Sequence, residues 1–293
     1  MNRLKSWLRY PFVRRARARD AAFRTRPGHA LAVAAIFRDE APFLAEWLTF
    51  HAGIGVGHFY LYNNFSHDDF ARVLAPWIAR GMITLHDWPV KVGQMPAYRH
   101  CVRRYADEAG WIALIDLDEF LFSPGRVDVR PVLAEYADLP GLICYSPQFG
   151  SSGHRERPQG PLLEAFTRRA DFSLASAKTI ANPRWIRAMH NVHEFKYWAG
   201  EALDTDRRPL LRGKMGPLDR LRVNHYWSRS LADLEHKIRR GDASSPEPRQ
   251  RDWHFERERL MNAEEDRDIL PVARAIREGR PLAGQNSQAL SAR

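Results

Sequence analysis

Between residues 30 and 121, short apolar runs alternate with stretches of helical spacing, and no other feature of this 293-residue chain narrows its fold as far. The runs are Ala30–Phe37, His58–Tyr62, Met82–Leu85 and Trp111–Ile115. Short runs bounded by turn signals suit strands buried on both faces, as in a parallel sheet. Phe43, Leu44, Trp47, Leu48, Phe50 and His51 recur at helical spacing, and further helices are predicted over 70–79, 96–109 and 230–240. Asp39-Glu40-Ala41-Pro42 reads as a helix start, with acids and a proline in the first turn. Gly53, Gly55 and Gly57 follow a helix and precede a strand, the reverse of the order a phosphate-cradling glycine loop needs, so they read as helix termination. The alternation predicts an α/β fold, Rossmann-like, with a mostly parallel central sheet.

Ligands of such sheets bind beyond the carboxyl ends of the strands. Arg38-Asp39, Asn63-Asn64, Asp87 and Asp116 to Glu119 all fall there. The sharpest of these clusters is Asp116-Leu117-Asp118-Glu119, at the end of a buried strand. Where the backbone stays extended, alternation puts both aspartates on one side. Two close carboxylates repel unless a cation joins them, and Mn²⁺ or Mg²⁺ does so while binding phosphate oxygens on its open positions. A solvated acidic turn is the plainer reading. A third ligand of such a cation is often imidazole, and His225 in Val223-Asn224-His225-Tyr226-Trp227 is the candidate. His190 and His193 do not match the HExxH zinc order, and an acceptor-site or structural role suits them better than a metal pair.

The formal charge of +10 is concentrated at the N-terminus. Residues 1–26 hold nine Lys and Arg against Asp20, a net +8, and the rest of the chain adds only +2. A basic stripe on the folded body is thus missing, and no nucleic-acid partner is expected. In the 1–26 tail Leu4, Trp7, Leu8, Phe12 and Val13 are interleaved with arginines, which suits a disordered basic tail or contact with an anionic membrane surface. Pro11 is expected to interrupt a long helix there. The tail has no apolar core of a signal peptide, and no transmembrane run is present. Cys101 and Cys144, without metal or CxxC spacing, read as buried thiols in a reducing compartment. Together these suggest a cytoplasmic protein, peripheral at the inner face of the membrane. The expected organisation is a tail (1–26), an α/β domain (27–241) and a polar C-terminal extension (242–293).

Five ordered segments resemble a known group. Ala35–Trp47 is similar to the "KNEAPYLxEW" opening, and His51–Asn64 to the "HFYIYDNxS" segment, of family 2-like and family 92 glycosyltransferases with a GT-A fold. Asp116–Leu121 matches their "DxDEFL", Phe149–His154 resembles "FGSSGH", and His225–Ser230 resembles "HYxxKS". The resemblance spans roughly 30–241. It implies a nucleotide-sugar donor (a UDP- or GDP-sugar), a divalent cation at Asp116 and Asp118 with His225, and Arg38, Asp39 and Glu40 near the nucleotide. Asn63 and Asp87, at neighbouring strand ends, join the expected donor contacts. Asn63-Asn64 replaces the usual Asp-Asn pair, and Arg38 stands where Lys is common.

The expected reaction moves a sugar to an acceptor hydroxyl, of a cell-envelope glycan. Asp118, His154 and Glu164 are the catalytic candidates, the last two because they lie in or after the Gly-Ser-Ser-Gly-His loop. Lys178, Arg184 and Arg187 are candidate phosphate contacts, and Trp185, Trp198 and Trp227 candidate sugar platforms. Alternatives are a metal-dependent phosphoryl-transfer or hydrolytic enzyme using the same carboxylates, and a non-catalytic glycan- or membrane-surface-binding protein.

Overall fold

A computed structural model describes residues 3–25, 28–280 and 282. It opens with α1 (Arg3–Thr25), followed by β1 (His29–Phe37), α2 (Ala41–Gly53), β2 (His58–Asn63), α3 (Phe70–Ala79), β3 (Ile83–Asp87), α4 (Gln94–Arg104) and β4 (Ala109–Leu114). Then come β5 (Glu119–Phe122), α5 (Arg130–Ala134), β6 (Gly141–Tyr145), β7 (Gln148–Phe149), α6 (Leu162–Ala165), β8 (Arg168–Arg169) and β9 (Ala177–Ala181). The hairpin β10 (Ile186–Met189) and β11 (Phe195–Tyr197) precedes β12 (Arg222–Tyr226), α7 (Leu231–Arg240), α8 (Arg251–Leu260), β13 (Glu264–Glu265) and α9 (Leu270–Glu278).

The main sheet has six strands in the order β3-β2-β1-β4-β9-β6. Its first four are parallel, as the alternation predicts, while β9 and β6 are antiparallel to their neighbours. Alternation along β1 explains the double burial. Leu31, Val33, Ala35 and Phe37 pack with Leu44, Trp47 and Leu48 of α2, whereas Ala32, Ala34 and Ile36 pack with Tyr98 and Cys101 of α4. Both cysteines are buried and free.

A second sheet, β13-β8-β7-β12-β5, stands beyond the end of β4. The chain leaves the main sheet at Ile115, turns through Asp116 to Asp118, and enters the second sheet at Glu119. The two aspartates therefore sit on a turn between sheets rather than on extended backbone.

The two terminal segments depart from the sequence expectation. Residues 3–25 form one helix with Pro11 inside it. Its second half docks on the body: Ala16 and Asp20 are buried, Asp20 accepts hydrogen bonds from Asn182 (2.8 Å) and Arg184 (3.0 Å), and Phe12 stacks on Trp198. Arg184 is thereby spent on a buried ion pair and not on phosphate. Basic composition hides this docking because few residues make it. The region from 242 is likewise integrated: Ile269, Leu270 and Val272 belong to the main core, and Asp266 pairs with Arg169 and Arg222. The remainder of the expected extension, after 282, lies outside the described residues.

Candidate active site

The turn after β4 is held from below by α2. Trp47 Nε1 donates to the Glu119 carbonyl at 2.8 Å. His51 donates from Nδ1 to the Trp47 carbonyl (2.8 Å) and accepts the Leu121 amide at Nε2 (3.2 Å). Only a neutral imidazole can do both. Burial, opposed by the Trp47 carbonyl, depresses the pKa of His51 to about 3. Glu46 accepts the amides of Leu162 and Leu163, the first two residues of α6. The helix that opens the family resemblance thus works as scaffold: it fixes the backbone from which the acidic turn projects.

Two further elements deliver the partners. The antiparallel register of β12 on β5 pairs His225 with Glu119. After β12, a Ser230–Asp233 capping box starts α7. Lys237 and Arg240, three residues apart on α7, both reach the cleft.

Four carboxylates meet four cations here. Asp116 Oδ2 pairs with Lys178 (3.0 Å), and its Oδ1 accepts from Gln94 (2.8 Å) and Tyr98 (3.2 Å). Lys178 also pairs with Glu119 Oε2 at 2.8 Å. Asp118 Oδ2 lies 2.5 Å from Lys237, whose ammonium also donates to the Trp227 carbonyl. Glu40, buried, binds Arg229 at 2.6 Å and Arg240. Burial alone would raise the Asp116 carboxyl, but Lys178 outweighs it and holds the group below the usual range. Asp118 is held well below that range, because Lys237 and His225 overcome its burial. Burial wins at Glu119 and pushes its pKa up despite Lys178.

The donor set fits a divalent cation in part. His225 Nε2 and Asp118 Oδ1 lie side by side at 3.4 Å, a spacing suited to adjacent positions in one coordination shell. His225 Nδ1 faces Glu119 Oε1 at 3.4 Å, and that buried oxygen has no hydrogen-bond partner. A carboxylate behind the second ring nitrogen is how metal-ligating histidines are commonly oriented. Asp116 bonds Lys178 through one oxygen and Gln94 and Tyr98 through the other. Among the described residues no three His, Cys, Asp or Glu side chains are gathered closely enough to hold a metal ion. Of the expected set of Asp116, Asp118 and His225, the structure places Asp118 and His225 side by side, with Asp116 turned to Lys178, Gln94 and Tyr98.

The other residues singled out in the sequence divide sharply. Arg38 borders the cleft, but its guanidinium is spent on the Asn64 carbonyl (2.8 Å), the Asn64 side chain (2.5 Å) and the Arg240 carbonyl (3.0 Å). Asp39, at φ 50°, accepts the His67 amide and lines the cleft beside Pro42. Asn63 and Asp87 bond each other at 3.3 Å and line neither half of the cleft. Glu164 is bound by Arg274 (3.2 Å) and Arg277 (2.9 Å) on the outer rim, so it is not placed to act as a base. His154 bonds the Ala165 carbonyl at 3.1 Å and packs edge-on against Phe166. The amides of Ser151 and Ser152 bind Glu258 and Asn262. The Gly-Ser-Ser-Gly-His loop therefore anchors α8 and does not present His154 to the cleft. Lys178, a candidate for phosphate, meets carboxylates instead. Lys237, Gln94 and Tyr98 went unnoticed in the sequence, and Arg240 was marked only as following the segment similar to "HYxxKS"; the one further signal was the three-residue spacing of Lys237 and Arg240 in the last turn of the helix predicted over 230–240.

The cleft has two halves, of about 390 and 310 Å³, that share Asp118, Trp227, Lys237 and Arg240. The sequence model of glycosyltransferase family 92 matches residues 28–264. A family 92 protein of Oryza sativa subsp. japonica is 30% identical over 178 residues, covering 57% of this chain and 30% of the relative. Galactan beta-1,4-galactosyltransferase GALS3 of Arabidopsis thaliana is 30% identical over 122 residues, covering 34% of this chain and 24% of that protein. The matched part thus spans less than a third of these curated relatives. Among solved structures, S. aureus TarS 1–349 in complex with UDP aligns with 52% of this chain and 46% of its own, at 10% identity and a TM-score of 0.36. With the family's sequence pattern running from the first strand of the main sheet to the last strand of the second, the chain belongs to glycosyltransferase family 92.

Proposed function

We infer that this chain transfers a sugar from a UDP- or GDP-sugar to a hydroxyl of a glycan acceptor. The observation that carries this reading is the carboxylate pair at the carboxyl edge of the sheet, Asp118 buried and Asp116 half-buried, framed by Lys178, Lys237, Arg229 and Arg240. Such an edge is where α/β sheets bind nucleotides. The relative named as a galactan beta-1,4-galactosyltransferase supports a polysaccharide acceptor, and we infer that the acceptor is a cell-envelope glycan.

In the transfer, the acceptor oxygen bonds the anomeric carbon. The bond from that carbon to the diphosphate oxygen breaks, its electron pair leaves on the nucleoside diphosphate, and the hydroxyl proton passes to solvent. Lys237 and Arg240 line both halves of the cleft and place positive charge where the leaving group gains negative charge. Asp118 and His225 would hold Mn²⁺ or Mg²⁺, which when bound supplies further charge neutralisation to the diphosphate. Glu119 orients His225 from behind.

The docked α1 leaves Arg14, Arg15 and Arg17 exposed. They support contact with an anionic membrane surface, on the cytoplasmic side of a membrane. No helix among the described residues is long and apolar enough to cross one.

The test is thermal unfolding with a panel of nucleotide sugars, with and without Mn²⁺. A ligand at a hundred times its Kd stabilises the fold by about 2.7 kcal/mol. The expected result is a shift that needs both Mn²⁺ and one donor class and that disappears in Asp118→Ala. A shift that survives in Asp118→Ala would overturn the assignment of this cleft.

A further inference from the structure

A cavity of about 490 Å³ opens beside the cleft. Its place follows from topology. Strand β9 runs antiparallel to β4, and β6 antiparallel to β9. Ala177, which begins β9, pairs with Tyr145, which ends β6, so both lie at the sheet edge where β4 delivers Asp116. The loop 209–214 closes the far side, and its Leu211 amide donates to the Tyr145 hydroxyl at 2.9 Å. The near side is the turn between β10 and β11. His193, in that turn, lines both this cavity and the 310 Å³ half of the cleft that holds Asp116 and Asp118. Thr179 Oγ1 donates to the His193 carbonyl at 2.6 Å and ties the turn to β9. His193 Nδ1 is buried without a hydrogen-bond partner.

We propose that this cavity is the acceptor subsite, that it takes a neutral saccharide, and that His193 stands at the boundary between acceptor and donor. The inference rests on the transferase reading of the cleft. The lining has the two-sided character of a pyranose, apolar on its faces and hydrogen-bonding at its rim. Phe195, Pro209, Leu210 and Leu211 supply apolar surface, and Thr179 and His193 supply polar atoms. Its charges cancel: Glu194 and Glu201 stand against Arg212 and Lys214, with Glu194 and Arg212 already paired at 2.7 Å. A phosphate or an acidic polysaccharide would find no surplus cation here.

The test uses the full chain and two variants. Ala175 lies in the cavity lining on extended backbone (φ −64°, ψ 129°), so Ala175→Trp fills space without strain. Leu211 is 39% exposed, so Leu211→Glu alters the lining at little cost to folding. Each protein is applied to an array of immobilised neutral and anionic oligosaccharides, and its melting shift with UDP or GDP and Mn²⁺ is recorded in parallel. The expected result is that the unmodified chain retains neutral hexose oligosaccharides. Ala175→Trp should weaken this at least tenfold and Leu211→Glu severalfold, with the UDP shift unchanged in both. The proposal is overturned if both variants bind the glycans as the unmodified chain does, if only anionic glycans bind, or if no glycan binds while the UDP shift is present. A shift missing with UDP and with GDP alike in the unmodified chain, with the glycan results as expected, would sink the donor reading and leave the saccharide site standing.

Discussion

Glu40 and Glu164 each bind two arginines, and there the likeness ends. Glu40 sits in the cleft wall with its side chain 6% exposed, and its partners Arg229 and Arg240 come from the far end of the domain. Glu164 sits on the outer rim with its side chain 31% exposed, and its partners Arg274 and Arg277 lie on one face of α9. Solvent screens the rim pairs, so they are worth little. In the wall, each charge has been taken out of water and depends on its partner. The contrast teaches that this chain's many arginine–carboxylate pairs are not one population. Those that hold the cleft together are buried and long-range, as are Arg184–Asp20 and Arg222–Asp266 elsewhere, whereas pairs such as those of Glu164 decorate a surface.

The largest effect that separates the two regions is expected from Glu40→Ala. It removes the buried carboxylate that Arg229 and Arg240 share. Removing one partner of a buried pair costs about 3–5 kcal/mol, read as a lower urea midpoint with an unchanged slope. A loss below about 1 kcal/mol would mean that the wall behaves like the rim, and the distinction would fall.

Much of the main sheet was legible because each early strand is a short apolar run closed by turn residues, and its burial on both faces is written into consecutive residues such as Leu31 to Phe37. The acidic turn was legible for the same reason: Asp116 breaks an apolar run abruptly. The partners of that turn were not. Lys178, His225, Arg229 and Lys237 lie 62 to 121 residues after Asp116, and the sequence alone cannot say which of them meets it. His225 was singled out through the family pattern, but its contact with Asp118 depends on the register of β12 against β5. Lys237 and Arg240 lie on a helix that was predicted, yet nothing in helical spacing says which way that helix points. The N-terminal segment misled for a different reason. Its composition is that of a solvated tail, while its docking rests on single residues such as Ala16 and Asp20.

A second effect sharpens the comparison through pH. His51 lies beneath the cleft, and its pKa falls from the ordinary 6.5 to about 3 in the fold. Below 6.5 the unfolded chain takes up a proton that the fold refuses. The stability due to neutral His51 is therefore fully present above 6.5 and is lost as the pH falls toward about 3, by up to about 1.4 kcal/mol per pH unit. Urea unfolding at pH 7, 6 and 5 should show a shallower loss for His51→Leu than for the unmodified chain. Parallel curves would mean that water reaches His51 and that the scaffold beneath the acidic turn is not sealed.

The smallest effect is expected at the rim. Glu164→Gln keeps the shape of the side chain and removes the charge that Arg274 and Arg277 share. Each exposed pair is worth about 0.2–1 kcal/mol, and less as salt rises. The variant should lose no more than that at low ionic strength, and the difference should shrink in 0.5 M salt. Its melting shift with donor and Mn²⁺ should match that of the unmodified chain, because Glu164 lines neither half of the cleft. This last measurement is the more informative one. Sequence order alone put Glu164 forward as a base, whereas geometry puts it on the outside of the molecule against α9. A transfer rate that fell by orders of magnitude in Glu164→Gln, with folding and donor binding intact, would return the residue to the chemistry and would break the division between wall and rim.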